Sequence, residues 1–92
     1  MQVHGVIAVV AVILGFYYHI TAGEWIAVLL CAGLVFVLEI INTAIESLVD
    51  LVQPDHDPLA GRVKDMAAGA VLVGAIVAIV IGAIIFGKYV FE

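Results

Sequence analysis

The stretch "EIINTAIESLVD" carries Glu39, Asn42, Glu46 and Asp50 at offsets of 3, 7 and 11 from the first. At about 100° per residue, those offsets fall within roughly 80° of arc on a helix. Ile40, Ile41, Ala44, Ile45, Leu48 and Val49 cover the other faces, so the four form one polar stripe, about 16 Å tall. Three carboxylates on one face, with no basic residue among them, call for a cation. An oxygen-only ligand set suits Mg²⁺ rather than Zn²⁺. Further on, Lys64 and Asp65 stand near the start of another helix. A lysine beside a helix N-terminus suits phosphate.

Glu39 follows fourteen uncharged residues, "WIAVLLCAGLVFVL", so the stripe starts at lipid depth. A helix end with solvated acids would account for Asp50 but not for Glu39, which is flanked by Ile40 and Ile41. Acids inside a membrane are costly and mark function by default. Glu39 is placed at headgroup depth or slightly inside the hydrocarbon, and Asp50 in the cytosol. A site with one end in lipid and the other in water could join a lipid headgroup to a soluble phosphate donor.

Those residues must be positioned by membrane helices. Of 92 residues, 66% are hydrophobic and 12% charged, which excludes an ordinary soluble domain and a disordered acidic tail. The net charge of −5 makes nucleic acid a poor partner. Cys31 stands alone in an apolar stretch and reads as a small buried hydrophobe. Three apolar segments predict an all-α membrane protein with transmembrane helices over about 3–20, 24–52 and 58–90, a single domain covering residues 1–92. "MQVHG" lacks the basic start of a signal peptide, so the first segment is expected to be retained.

Pro54 is expected to stop the second helix. Asp57 as N-cap and Pro58 at the first helical position restart the chain as a helix two turns before the third apolar run. Arg62 and Lys64 flank this second linker, and the first linker has no basic residue. The positive-inside rule then puts the second linker in the cytoplasm. Tyr17, Tyr18, Trp25 and Tyr89 fall at the opposite, outer interface, where Glu24 beside Trp25 reads as an interface pair. His4 and His19 read as interface residues near span ends, and Glu92 as a solvated terminus. Ala70, Gly74, Ala78 and Gly82 recur every fourth position, a row that lets helices approach closely and is expected to serve assembly.

"EIINTAIESLVD" followed by "GRVKDMAAGAVL" resembles the prokaryotic diacylglycerol kinase family of small integral-membrane lipid kinases, over essentially the whole chain. "INTAIE" and "KDMAAGAV" look more like its undecaprenol kinase branch, and Ala68 stands where the diacylglycerol enzymes usually carry serine, at the lipid substrate. The resemblance implies a homotrimer in the bacterial inner membrane, with active sites between subunits on the cytoplasmic side. It implies ATP, Mg²⁺ and a lipid alcohol, undecaprenol or diacylglycerol, as reactants. Glu39 matches the general base at the lipid, and Glu46 a metal ligand. Asn42, Asp50, Lys64 and Asp65 match nucleotide-site positions. Asp55, His56 and Asp57 occupy a linker stretch that touches nucleotide in relatives, where the usual pattern is acid–tyrosine–histidine; Asp57 also reads as the helix cap. Relatives carry roughly thirty further residues before the first span, forming an amphipathic surface helix, and the chain as written starts after them.

Two other classes compete. An ion-translocating proteolipid is also short, Gly/Ala-rich and acidic within the membrane, although it needs one mid-membrane carboxylate in a two-helix hairpin. A structural or assembly peptide would not need the stripe. Nucleotide binding separates the kinase from both.

Overall fold

The computed structural model describes residues 2–91; Glu92, read above as a solvated terminus, lies outside them. Three helices account for nearly all of it: α1 (Gln2–Tyr18), α2 (Ala22–Val52) and α3 (Pro58–Val90). They form a rod of 53 × 19 × 17 Å. α2 and α3 lie together along their lengths, and α1 packs on them more sparsely. α2 and α3 are long and apolar enough to cross a membrane; α1 is apolar but shorter, at 17 residues. The expectation of three transmembrane helices is thus met by length and composition for two of them.

Most large apolar side chains face outward. Leu30 and Ile84 are each 68% exposed, and the buried set is small. In water such a surface would be a large unpartnered apolar area. In a bilayer it is the lipid-facing surface, and van der Waals packing rather than apolar burial holds the helices together.

The packed core sits at the end where α1 joins α2. Ile20, Val28 and Ile85 are buried there, with Tyr18, Trp25, Phe86 and Tyr89 around them. α1 stops because His19 adopts φ 53°, in the left-handed region, and the Ile20 N–H donates back to the Gly15 carbonyl at 3.2 Å. This is a Schellman closure with histidine where glycine is usual. His19→Gly is expected to remove the left-handed cost and raise stability by about 1 kcal/mol, read as a higher thermal midpoint in detergent. An unchanged or lower midpoint would show that His19 is held there by other contacts. Gly15 is needed on the other side of the turn, because a Cβ there would lie 2.6 Å from Trp25 Cη2.

α2 opens on a capping box, in which Thr21 Oγ1 accepts from the Glu24 N–H and the Glu24 side chain accepts from the Thr21 N–H. The Glu24 carboxylate also takes Lys88 Nζ at 2.7 Å and the Tyr89 hydroxyl. The ring of Tyr89 stacks on that of Tyr18. Glu24 is therefore less a partner of Trp25 than a clasp between the start of α2 and the end of α3. Trp25 instead meets Phe16.

Part of the small-residue row also packs within the chain. Gly74 is buried against α2 of the same chain, where an added Cβ would lie 2.5 Å from Leu38 Cδ1. Ala78 and Gly82 line a groove between the helices, and only Ala70 is exposed. Spacing defines a face on a helix, not which neighbour fills it.

Candidate functional site

The end opposite the clasp holds the polar stripe. α2 runs unbroken through residues 39–50 and ends at Val52, before Pro54. Trp25 to Glu39 is 14 residues, or about 21 Å of helix. With Trp25 at one face of a hydrocarbon core about 30 Å thick, Glu39 is still inside. Glu46 reaches the boundary about 31 Å along, and Asp50 stands in water. The side chains follow that gradient. Glu39 is 8% exposed, whereas Glu46 and Asp50 are exposed.

Glu39 Oε1 is hydrogen-bonded to Nδ1 of His4, in the first turn of α1. One turn along α2, Asn42 Oδ1 is buried and has no hydrogen-bond partner among the described residues. A buried amide oxygen left so is costly unless a ligand or ion completes it. At the water end, Lys64 of α3 forms an ion pair with Asp50. This brings together two residues placed at the nucleotide and ties the end of α2 to the start of α3.

The rest of the expected site is more spread out. Asp57 is the N-cap of α3, its Oδ1 accepting from Leu59 N at 2.7 Å and Ala60 N at 3.2 Å. That oxygen is thereby committed to the helix start, with Pro58 behind it. Asp55, His56, Asp65 and Ala68 are exposed. No three His, Cys, Asp or Glu residues converge on one point among the described residues. Mg²⁺ does not require that they do, since it is commonly held by one or two carboxylates plus substrate phosphates and water. By donor chemistry the stripe fits Mg²⁺, with Glu46 as the accessible carboxylate at the membrane boundary and Asn42 Oδ1 as a neutral oxygen nearby.

An apolar groove of about 290 Å³ runs from His4 along the inside of α1, between Ala8 and Ala11, Val35 and Ala32 of α2, and Gly82 of α3. The groove leads to the one histidine that touches Glu39.

The contact of His4 with Glu39 goes beyond its reading as an interface side chain. A signal was available. His4 lies 14 residues before Tyr18 and Glu39 lies 14 residues after Trp25. Two helices joined by a tight antiparallel turn bring those positions to the same level.

The family model described as prokaryotic diacylglycerol kinase matches residues 1–86. The chain is 45% identical over 85 residues to an undecaprenol kinase of Bacillus subtilis, covering 92% of this chain and 69% of that one. It is 35% identical over 85 residues to a diacylglycerol kinase of Escherichia coli K12, covering 92% and 70%. A diacylglycerol kinase of Helicobacter pylori strain 26695 is 34% identical over 84 residues, covering 91% and 62%.

Proposed function

The chain belongs to the prokaryotic diacylglycerol kinase family of lipid kinases, and we propose that it transfers the γ-phosphoryl group of ATP to a membrane lipid alcohol, undecaprenol. The observation that carries this reading is the buried carboxylate of Glu39 at lipid depth, on the same helix face as the Asp50–Lys64 pair in water. A lipid hydroxyl and a soluble nucleotide can meet only where such a gradient exists. The undecaprenol assignment is favoured over diacylglycerol by 45% against 35% identity over equal lengths of 85 residues.

In this reading Glu39 accepts the proton of the lipid hydroxyl as that oxygen attacks the γ-phosphorus in line. The new O–P bond forms as the bond from phosphorus to the β–γ bridging oxygen breaks, and ADP leaves with that oxygen. Lys64 turns from Asp50 to the nucleotide phosphates. Asp50, Asp65, Asp55 and His56 line the approach of ATP from water, and Asn42 contacts the nucleotide's reacting end. Mg²⁺, held by Glu46, would neutralise charge on the transferring phosphoryl group. Among the described residues no three such ligands converge, which supports sites shared between subunits; the family resemblance implies a homotrimer, with its sites on the cytoplasmic side of the bacterial inner membrane.

The test is reconstitution in vesicles with Mg²⁺, labelled ATP and either undecaprenol or diacylglycerol. Undecaprenyl phosphate is the expected product. Phosphatidic acid alone would assign the other lipid, and ATP binding without transfer to either would overturn the reading. Lys64→Ala sharpens it. The Asp50 and Lys64 side chains are 60% and 35% exposed, so losing the pair costs the fold little. Losing a charged contact to phosphate is expected to raise KM for ATP roughly 10–100-fold. An unchanged KM would remove Lys64 from the nucleotide.

A further inference from the structure

We infer that His4 is a positioning residue for Glu39: its ring Nδ1 is hydrogen-bonded to Oε1 and holds the carboxyl group oriented at lipid depth. The inference rests on the lipid-kinase reading, and it names a residue which that reading did not require.

The physical need is plain. Glu39 is 8% exposed and lies level with the hydrocarbon. A base must hold one oxygen within hydrogen-bond reach of the proton it accepts. At that depth a polar partner has to aim it. Glu46 on α2 is two turns away and of the wrong sign. α3 carries no titratable residue between Asp65 and Lys88. On α1, His4 is the titratable residue at this level, the others being Tyr17 and Tyr18 at the far end. His4 makes the contact, with its side chain 26% exposed against 10% for Glu39. The first-turn position of His4 on α1 sets the direction of the bond.

The experiment compares the parent with His4→Ala and His4→Asn in vesicles, reading kcat, KM for ATP and the infrared carboxyl stretch assigned by its loss in Glu39→Gln. Asparagine presents an amide N–H close to the place of Nδ1. His4→Ala is expected to lower kcat by about tenfold with KM for ATP unchanged, and to move the stretch because a hydrogen bond to the carboxyl group is lost. His4→Asn should keep most of the turnover and a stretch near the parental one. Parental kcat in His4→Ala, equal losses in both variants, or a stretch that His4→Ala leaves in place would overturn the inference. The infrared result stands even if the parent phosphorylates neither lipid, an outcome that would sink the lipid-kinase reading alone.

Discussion

Glu39→Gln is expected to cut lipid phosphorylation by about 10²–10⁴ while ATP still binds, because an amide cannot accept the hydroxyl proton. The replacement is nearly isosteric, and the amide oxygen can still accept from His4 Nδ1, the contact made in the parent. The helix packing around it is therefore retained. Exchanging a buried carboxylate for a neutral amide also relieves desolvation, so the thermal midpoint should hold or rise. Loss of turnover with retained stability separates a chemical role from a structural one. The measurement is transfer of labelled phosphate in vesicles beside equilibrium ATP binding. Turnover near the parental rate would remove Glu39 from the role of base.

The second large effect is expected from Gly74→Leu. A Cβ at Gly74 would lie 2.5 Å from Leu38 Cδ1, so the whole leucine side chain is accommodated only by turning Leu38 aside and spreading α2 from α3. Overpacking of this kind typically costs about 1–3 kcal/mol. Leu38 immediately precedes Glu39, so the displacement reaches the proposed base. A misplacement of about 1 Å at a reacting group can cost 10²-fold in rate, and turnover should fall by that order. Leu38→Ala in the same chain opens the needed space and should restore much of the stability and part of the turnover. That rescue would mark the contact as one within a chain. Failure of the rescue, together with loss of crosslinked oligomers at unchanged stability, would return the small-residue row to the interface between chains. A fully active Gly74→Leu protein would show that the close approach is dispensable.

How much of this was legible depends on the range of each interaction. Asp57 and Pro58 sit beside each other, so the start of α3 could be read from local chemistry, and Asp57 does cap that helix. The stripe could be read because its residues share one helix and its period is a property of the backbone. Lys64 and Asp50 were both singled out, but their pairing across the linker was not. The His4–Glu39 contact spans 35 positions and the Glu24–Lys88 contact 64. Neither follows from the period of one helix. Both depend on how far helices slide along one another, which is set by loop length and by contacts such as Gly15 on Trp25. The turn at His19 was missed because histidine at positive φ leaves little trace in composition, unlike a glycine.

α1 packs on α2 and α3 more sparsely than they pack on each other and joins α2 through the turn at His19, and the residue that touches Glu39 is at its other end. That makes α1 a lever arm with its pivot at the Schellman turn. Fourteen residues separate Tyr18 from His4, an arm of about 21 Å. A swing of about 5° about the pivot carries His4 through about 2 Å at that radius. A hydrogen bond tolerates only a few tenths of an ångström. Changes in bilayer thickness are met by helix tilt, and a tilt of that size would uncouple His4 from Glu39 without disturbing α2 or α3. The mechanical state of the surrounding membrane would thus be transmitted directly to the Glu39 carboxyl group.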